Sequence, residues 1–402
     1  MSEEDSTKGI SRREFIKEAA VFSAGAVVLN GIMKNEALAE TAKEAPTPSK
    51  QDIISTVKGG SNAQKYEQIM KAARERMHPK CRVCPECDGR ACAGEWPGMG
   101  GVGSGRGFIN NIEDLAKRNL VMRTLHSVKK PDMSITLFGQ KLDFPILAAC
   151  TGGTTYNMGG KIGEDEFIDA ILGGCASIGT MGMAADGIGD PLSVYETRLK
   201  AIAAQGGRGI AIIKPRTQDE IIKRIRLVEA SGARAVGIDI DSAGKAARAL
   251  PGQTVEPKTL AQLKELVRST KLPFIIKGVM TSDEAELAVK AGAAAIVVSN
   301  HGGRVLDHTP GAAQVLAKIV EKVKGKIIIL ADGGVRYGAD ALKYLALGAD
   351  AVLVGRPVVR GAFGGGRDGV SVVLSKMKNE LVDAMVLTGT ASVKKVNKNI
   401  LS

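Results

Sequence analysis

Along the chain, short aliphatic runs alternate with longer stretches whose apolar positions recur at helical spacing. Four segments share one grammar: Gly174-Cys175-Ala176-Ser177-Ile178, Gly232-Ala233-Arg234-Ala235-Val236, Gly292-Ala293-Ala294-Ala295-Ile296 and Gly348-Ala349-Asp350-Ala351-Val352. Each reads as a helix end closed by glycine and followed by a short buried strand. They are spaced by 58, 60 and 56 residues, roughly double the ~30 residues of one strand-plus-helix unit. Further strands are therefore expected between them. Four apolar runs supply these: Phe144 to Cys150, Gly209 to Lys214, Pro273 to Lys277 and Lys326 to Asp332. The intervening stretches are amphipathic, as at Leu260, Leu263, Leu266 and Val267, and Thr281 with Glu284 predicts a capping box. Eight buried strands alternating with helices predict an α/β protein built as a (β/α)8 TIM barrel, with a doubly wound open sheet as the alternative.

In such a barrel the polar residues should collect at the carboxyl ends of the strands, where active sites of this fold sit. The fifth strand ends in Lys277-Gly278 and the sixth in Ser299-Asn300-His301-Gly302-Gly303-Arg304. The seventh ends in Asp332-Gly333-Gly334-Val335-Arg336 and the eighth in Gly355-Arg356-Pro357. The turns Gly333-Gly334 and Gly355-Arg356 stand where barrels build a phosphate site from backbone N–H groups, with Arg336 or Arg356 adding charge-assisted hydrogen bonds. Tight turns with surface arginines are the plainer reading. Asp332 suits a hydroxyl of a sugar-like chain. Lys277 either snorkels to the rim or stabilises negative charge on a bound ring. His301 is placed to take a proton at neutral pH, and Arg304 to clamp a carboxylate.

Composition sharpens this picture. The 402 residues include 49 Gly but only 1 Trp, 5 Tyr and 8 Phe, which suits tight loops and an aliphatic core. The net charge is +12, yet no Arg-rich run with interleaved aromatics occurs, so nucleic acid is not an expected partner. Residues 1–39 read as a twin-arginine export signal, with Arg12-Arg13 before the apolar stretch Ala19 to Met33, and Ala37-Leu38-Ala39 after it. The stretch is shorter than the ~20 residues of a membrane-spanning helix. Once the signal is removed, an exported protein with no integral span is expected. Residues 40–62 read as a linker, 63–110 as a cysteine-rich segment and 111–402 as the barrel.

Ser299-Asn300-His301-Gly302-Gly303-Arg304, with Leu306-Asp307 and Pro310 behind it, resembles the signature of the FMN-dependent 2-hydroxy-acid oxidases and dehydrogenases, the glycolate oxidase and lactate oxidase family. Lys277-Gly278-Val279, Asp332-Gly333-Gly334-Val335-Arg336 and Gly355-Arg356-Pro357 are similar to its flavin motifs, in order. The resemblance implies a barrel holding FMN. The phosphate would lie on the Gly333-Gly334 and Gly355-Arg356 loops beside Arg336 and Arg356, with Asp332 on the ribityl chain. Lys277 would meet the pyrimidine end of the flavin, which Ser299 and the backbone of Cys150-Thr151-Gly152 would also touch. It further implies that His301 removes a proton from a small 2-hydroxy acid whose carboxylate Arg304 binds, that electrons pass to an acceptor, and that the chain forms a homo-oligomer.

The chain departs from that family in three places. The third strand, Gly209 to Lys214, lacks the usual Gln and Tyr, and Asp239 stands in place of a Thr on the fourth. An N-terminal Tyr is replaced by a segment carrying Cys81, Cys84, Cys87 and Cys92, spaced C-x2-C-x2-C-x4-C. These thiolates are close enough to share an iron–sulfur cluster or zinc; disulfides formed after export and free thiols are the other readings. Insertion before export of a folded chain favours the metal. Next, Gly98-Met99-Gly100-Gly101-Val102-Gly103 matches G-x-G-x-x-G, but no strand precedes it and no acidic residue follows in a βαβ frame, so it is read as a decoy. Cys150 and Cys175 read as core thiols on strands. The altered shell leaves open an FMN barrel with another substrate, such as an isomerase, or a non-catalytic barrel that binds a phosphorylated ligand.

Overall fold

The computed structural model describes residues 59–248 and 253–402. The twin-arginine segment and most of the expected linker lie outside the described residues. The described chain begins with helix Asn62–Met77, which opens on a capping box: Ser61 accepts from the Gln64 N–H at 3.3 Å, and Gln64 accepts from the Ser61 N–H at 2.9 Å. A turn-rich segment leads to helix Arg106–Ala116. An antiparallel hairpin, Ile135–Leu137 with Gln140–Leu142, then precedes the barrel.

Eight parallel strands close on themselves: β1 (Ile146–Thr151), β2 (Gly182–Ala185), β3 (Gly209–Ile213), β4 (Ala235–Asp239), β5 (Phe274–Val279), β6 (Ala295–Val298), β7 (Ile328–Ala331) and β8 (Ala351–Val354). β8 pairs with β1, so the TIM barrel is realised and the open sheet is excluded. Successive residues of each strand serve two cores. Leu147, Ile210, Ile212, Ile275, Val297, Leu330 and Leu353 fill the interior. Their neighbours Ile146, Ala211, Ile213, Ile276, Ile296, Ile329 and Val354 pack outward with the helices. Aliphatic runs without polar alternation follow from this double burial.

Three of the four glycine-led segments match the strands that follow them, and Gly232, Gly292 and Gly348 all take left-handed φ at helix ends. The first does not. Gly174 lies inside helix Glu164–Ser177, where a side chain would strike Val370 and the Arg367 carbonyl of the C-terminal helix. The left-handed turn is at Gly179 instead (φ 83°), and β2 starts at Gly182. Cys175 is consequently a helical core residue, not a strand residue. At Thr281 the side chain accepts from the Glu284 N–H at 3.4 Å, without the reciprocal bond of a full capping box. The helix with the Leu260 pattern runs Leu260–Arg268 and buries Leu263 and Leu266. Among the described residues, no helix is long and apolar enough to cross a membrane.

Candidate active site

The two-residue period of the interior carries directly to the rim. Two positions beyond Ala149, Ile212, Gly237, Ile275, Val297, Leu330 and Leu353 stand Thr151, Lys214, Asp239, Lys277, Ser299, Asp332 and Gly355. The strands therefore aim these residues at the same end of the barrel axis. Asp239 and Lys277 are register partners on β4 and β5.

Charge concentrates there. Asp239 is 1% exposed and Lys277 3%; Lys277 Nζ donates to Asp239 Oδ1 at 2.8 Å, and Lys214 Nζ to Asp239 Oδ2 at 2.5 Å. Burial disfavours both charges. Lys214, Lys277 and His301 nonetheless hold the Asp239 carboxyl well below the usual range, and Asp239 with Asp241 holds the Lys277 ammonium well above its own. His301 has a left-handed backbone (φ 59°), and its Nδ1 lies 3.0 Å from Asp241 Oδ1 and 3.5 Å from Asp239 Oδ2. Asp239, Asp241 and His301 could in principle share a cation, but two lysine ammonium groups already neutralise Asp239.

Above this cluster opens a cavity of about 490 Å³, within the range of cofactor and ligand sites. Its wall includes Thr151, Lys277, His301, Arg304, Asp332, Gly333, Gly334, Val335, Arg336, Gly355 and Arg356. Ser299 is the exception among the predicted cofactor contacts. It is fully buried behind the wall, beside Asp332, and its hydroxyl accepts from the His301 N–H at 3.0 Å, so it shapes the histidine turn. Cys150 is buried enough to push its thiol up to about 12, as expected of a core thiol, but it also lines the cavity.

The glycine turns divide. A side chain on Gly355 would meet nothing nearer than Thr151 Cγ2 at 3.9 Å, leaving that turn open to a ligand. Side chains on Gly333 (φ 101°) and Gly334 (φ 77°) would instead strike Asn111 of helix Arg106–Ala116. Those two glycines permit helix Arg106–Ala116 to approach.

The cysteine-rich segment caps the rim from above, and its carbonyl groups draw the arginines toward it. Arg304 donates to the carbonyls of Gly98 and Gly100 and, at 2.9 Å, to Asn157 Oδ1. Arg336 donates to the Cys87 carbonyl at 3.0 and 3.2 Å. Arg356 donates to Met99 O at 2.8 Å and Gly302 O at 3.1 Å, and lies 3.6 Å from the centre of the Phe108 ring. The G-x-G-x-x-G stretch is thus a latch: Val102 N–H donates to Gly303 O at 2.9 Å, and Asp307 accepts from the Ser104 and Arg106 N–H groups. Cys81, Cys84, Cys87 and Cys92 are free thiols around a second, smaller cavity. Lys214 and Asp241, central to the charge cluster, were not singled out by sequence. Their one signal is the two-residue period running past the ends of β3 and β4.

A profile described as FMN-dependent dehydrogenase matches residues 99–251 and 249–402. The chain belongs to the FMN-dependent dehydrogenase family. It is 32% identical over 338 residues to 2-hydroxyacid oxidase 1 of Homo sapiens, covering 73% of this chain and 88% of that one. It is 29% identical over 334 residues to the peroxisomal (S)-2-hydroxyacid oxidase GLO3 of Arabidopsis thaliana, covering 75% and 89%. The crystal structure of mandelate oxidase superposes with a TM-score of 0.68 at 27% identity, over 84% of this chain and 97% of that one.

The cavity meets what FMN requires. Thr151 Oγ1 and Asp332 Oδ1 are buried polar atoms with no hydrogen-bond partner, both on residues of the cavity wall. Burial lowers Arg356 to about 9, and its bonds go to neutral carbonyls; a phosphate would supply the missing counter-charge. The open Gly355 turn stands beside it.

Proposed function

We propose that this chain oxidises a small 2-hydroxy acid to the 2-oxo acid with FMN as its cofactor. One observation carries the reading: the His301–Asp241 pair at 3.0 Å stands at the wall of a cavity that also presents Lys277, Thr151 and Asp332. The family and the hydroxy-acid oxidases among its relatives support it.

Asp241 accepts from Nδ1–H of His301, which leaves Nε2 as the basic nitrogen and supports the imidazolium once a proton has been taken from the substrate. The left-handed backbone at His301 turns the ring out of the strand direction, and the Ser299 hydroxyl holds that turn. Lys277, kept charged by Asp239, would offer fixed positive charge to a reduced flavin ring held in this cavity. Arg356, Arg336 and the Gly355 turn would hold the phosphate, and Asp332 Oδ1 and Thr151 Oγ1 would accept hydrogen bonds from the hydroxyls of the ribityl chain. Arg304 supplies the positive charge for the substrate carboxylate. FMN, when bound, accepts the two electrons that leave the substrate carbon. Trp96 and Met99 on the cavity wall help keep water from it.

Lys214 and Asp239 depart from the family pattern described above, and this departure supports a substrate preference of the chain's own. An acceptor other than oxygen, assembly as a homo-oligomer and export through the Arg12-Arg13 signal complete the reading. The four cysteines add a second cofactor site. Replacing His301 with Ala tests the chemistry: turnover should vanish with FMN content unchanged, and undiminished turnover would overturn the assignment.

A further inference from the structure

The segment between helices Asn62–Met77 and Arg106–Ala116 has no hydrophobic core of its own. It folds as turns with one isolated bridge, Ala93 with Gly101. Even so, it brings Cys81, Cys84, Cys87 and Cys92 to one small cavity, whose wall also includes Arg356 and Arg360. All four are free thiols, so no disulfide explains their spacing. Nor do they form the closed tetrahedron of a zinc site. Bonds of about 2.3 Å would draw four sulfurs tightly around one ion, whereas no three of these sulfurs lie within 4.8 Å of one another. The gap between the thiols is about 20 Å³, so a larger inorganic core requires the turns of this loop to open around it.

We infer that the four thiolates hold a cubane iron–sulfur cluster, and that the cluster takes electrons from the reduced flavin of the neighbouring cavity. The second half rests on the FMN reading above. Four cysteines are the usual ligand set of such clusters, and this spacing is close to ferredoxin-type runs. A cluster with four thiolates is an anion, and the cavity wall supplies Arg356 and Arg360. Because the ligand loop is built of turns, it can widen around the core without breaking a helix or a strand ladder.

Position gives the cluster its use. Met99 and Arg356 line both cavities, so the two centres share a wall one side chain thick. Arg82 and Glu86, on the wall of the same cavity, are exposed, so the cluster site reaches solvent. Oxidation of one 2-hydroxy acid releases two electrons and two protons. The cluster accepts one electron at a time, passing from its oxidised to its reduced state, and hands each to a soluble one-electron carrier protein. Two equivalents of carrier are reduced per substrate, and the protons go to solvent.

The test uses the full chain purified without air. Iron, acid-labile sulfide, zinc and flavin are measured per chain, and the dithionite-reduced protein is examined by electron paramagnetic resonance. About four irons and four sulfides are expected, with a reduced-cluster signal. Cys84→Ser combined with Cys87→Ser should lose iron, sulfide and signal while flavin stays. Stoichiometric zinc without iron, or four thiols that all react with a thiol reagent in metal-free protein, overturns the site. The relay is tested by reducing the flavin with light and EDTA as the sacrificial electron donor instead of substrate, which makes it independent of the substrate reading. The cluster signal should then appear. Reduced flavin beside a cluster that stays oxidised overturns the relay and leaves the site standing.

Discussion

His301 and Asp241 are 60 residues apart in sequence, yet Nδ1 of one lies 3.0 Å from Oδ1 of the other at the mouth of the barrel. The contact joins the ends of β4 and β6 across β5. Because Asp241 fixes which ring nitrogen is basic, Asp241→Asn should lower the rate of flavin reduction by about 10²- to 10⁴-fold. FMN content should not change. Rapid mixing of anaerobic enzyme with substrate measures this directly.

Asp239 is shared by Lys214 and Lys277. Asp239→Asn removes the carboxylate that buried Lys277 and half-buried Lys214 share, leaving Asp241 at 4.0 Å as the nearest negative charge to Lys277, and should cost about 3 kcal/mol. Lys277→Met leaves Lys214 still paired to Asp239, so it should cost less while weakening flavin retention. Urea unfolding of the two variants checks the order.

The two kinds of glycine turn separate binding from folding. Gly355→Ala places a methyl into open cavity and should leave the unfolding midpoint unchanged while weakening FMN binding about tenfold, or ~1.4 kcal/mol. Gly333→Ala forces a left-handed alanine against Asn111 and should lower the midpoint. Equal midpoints for the two would contradict the packing described.

Much of this was legible in the chain because a barrel strand is short and buried on both sides, so aliphatic runs mark it. The second strand was misplaced because Gly174 serves helix packing, and a glycine that admits Val370 looks the same in sequence as one that ends a helix. Rim positions could be read from strand ends. Side-chain directions could not: Arg304, Arg336 and Arg356 turn toward carbonyls of the cysteine-rich segment, and nothing local in the sequence pairs residues so far apart. Asp241 and Lys214 carry no local signal for the same reason, since each matters through a partner on another strand.

Asp307 ties the cysteine-rich segment to the His301 turn through the N–H groups that open helix Arg106–Ala116. Burial works against its charge, but hydrogen bonds from Ser104 and His308 hold its carboxyl down to about 2. A folded-state value below the unfolded one of about 3.9 means that its stabilisation is complete above that pH and is lost as pH falls toward 2. Asp307→Asn should therefore cost about 0.5–2 kcal/mol at neutral pH. The difference from the parent should close in acid, as thermal unfolding across pH 2–7 would reveal.

The central claim is that this rim, loaded with FMN, removes two electrons from a 2-hydroxy acid. An anaerobic absorbance titration of the purified flavoprotein with L-lactate, glycolate and longer 2-hydroxy acids tests it most directly. Bleaching of the flavin bands by at least one of them, abolished by His301→Ala without loss of FMN, is the predicted result. Flavin bands that stay unbleached through the whole panel, or that bleach as fast in His301→Ala, would contradict it.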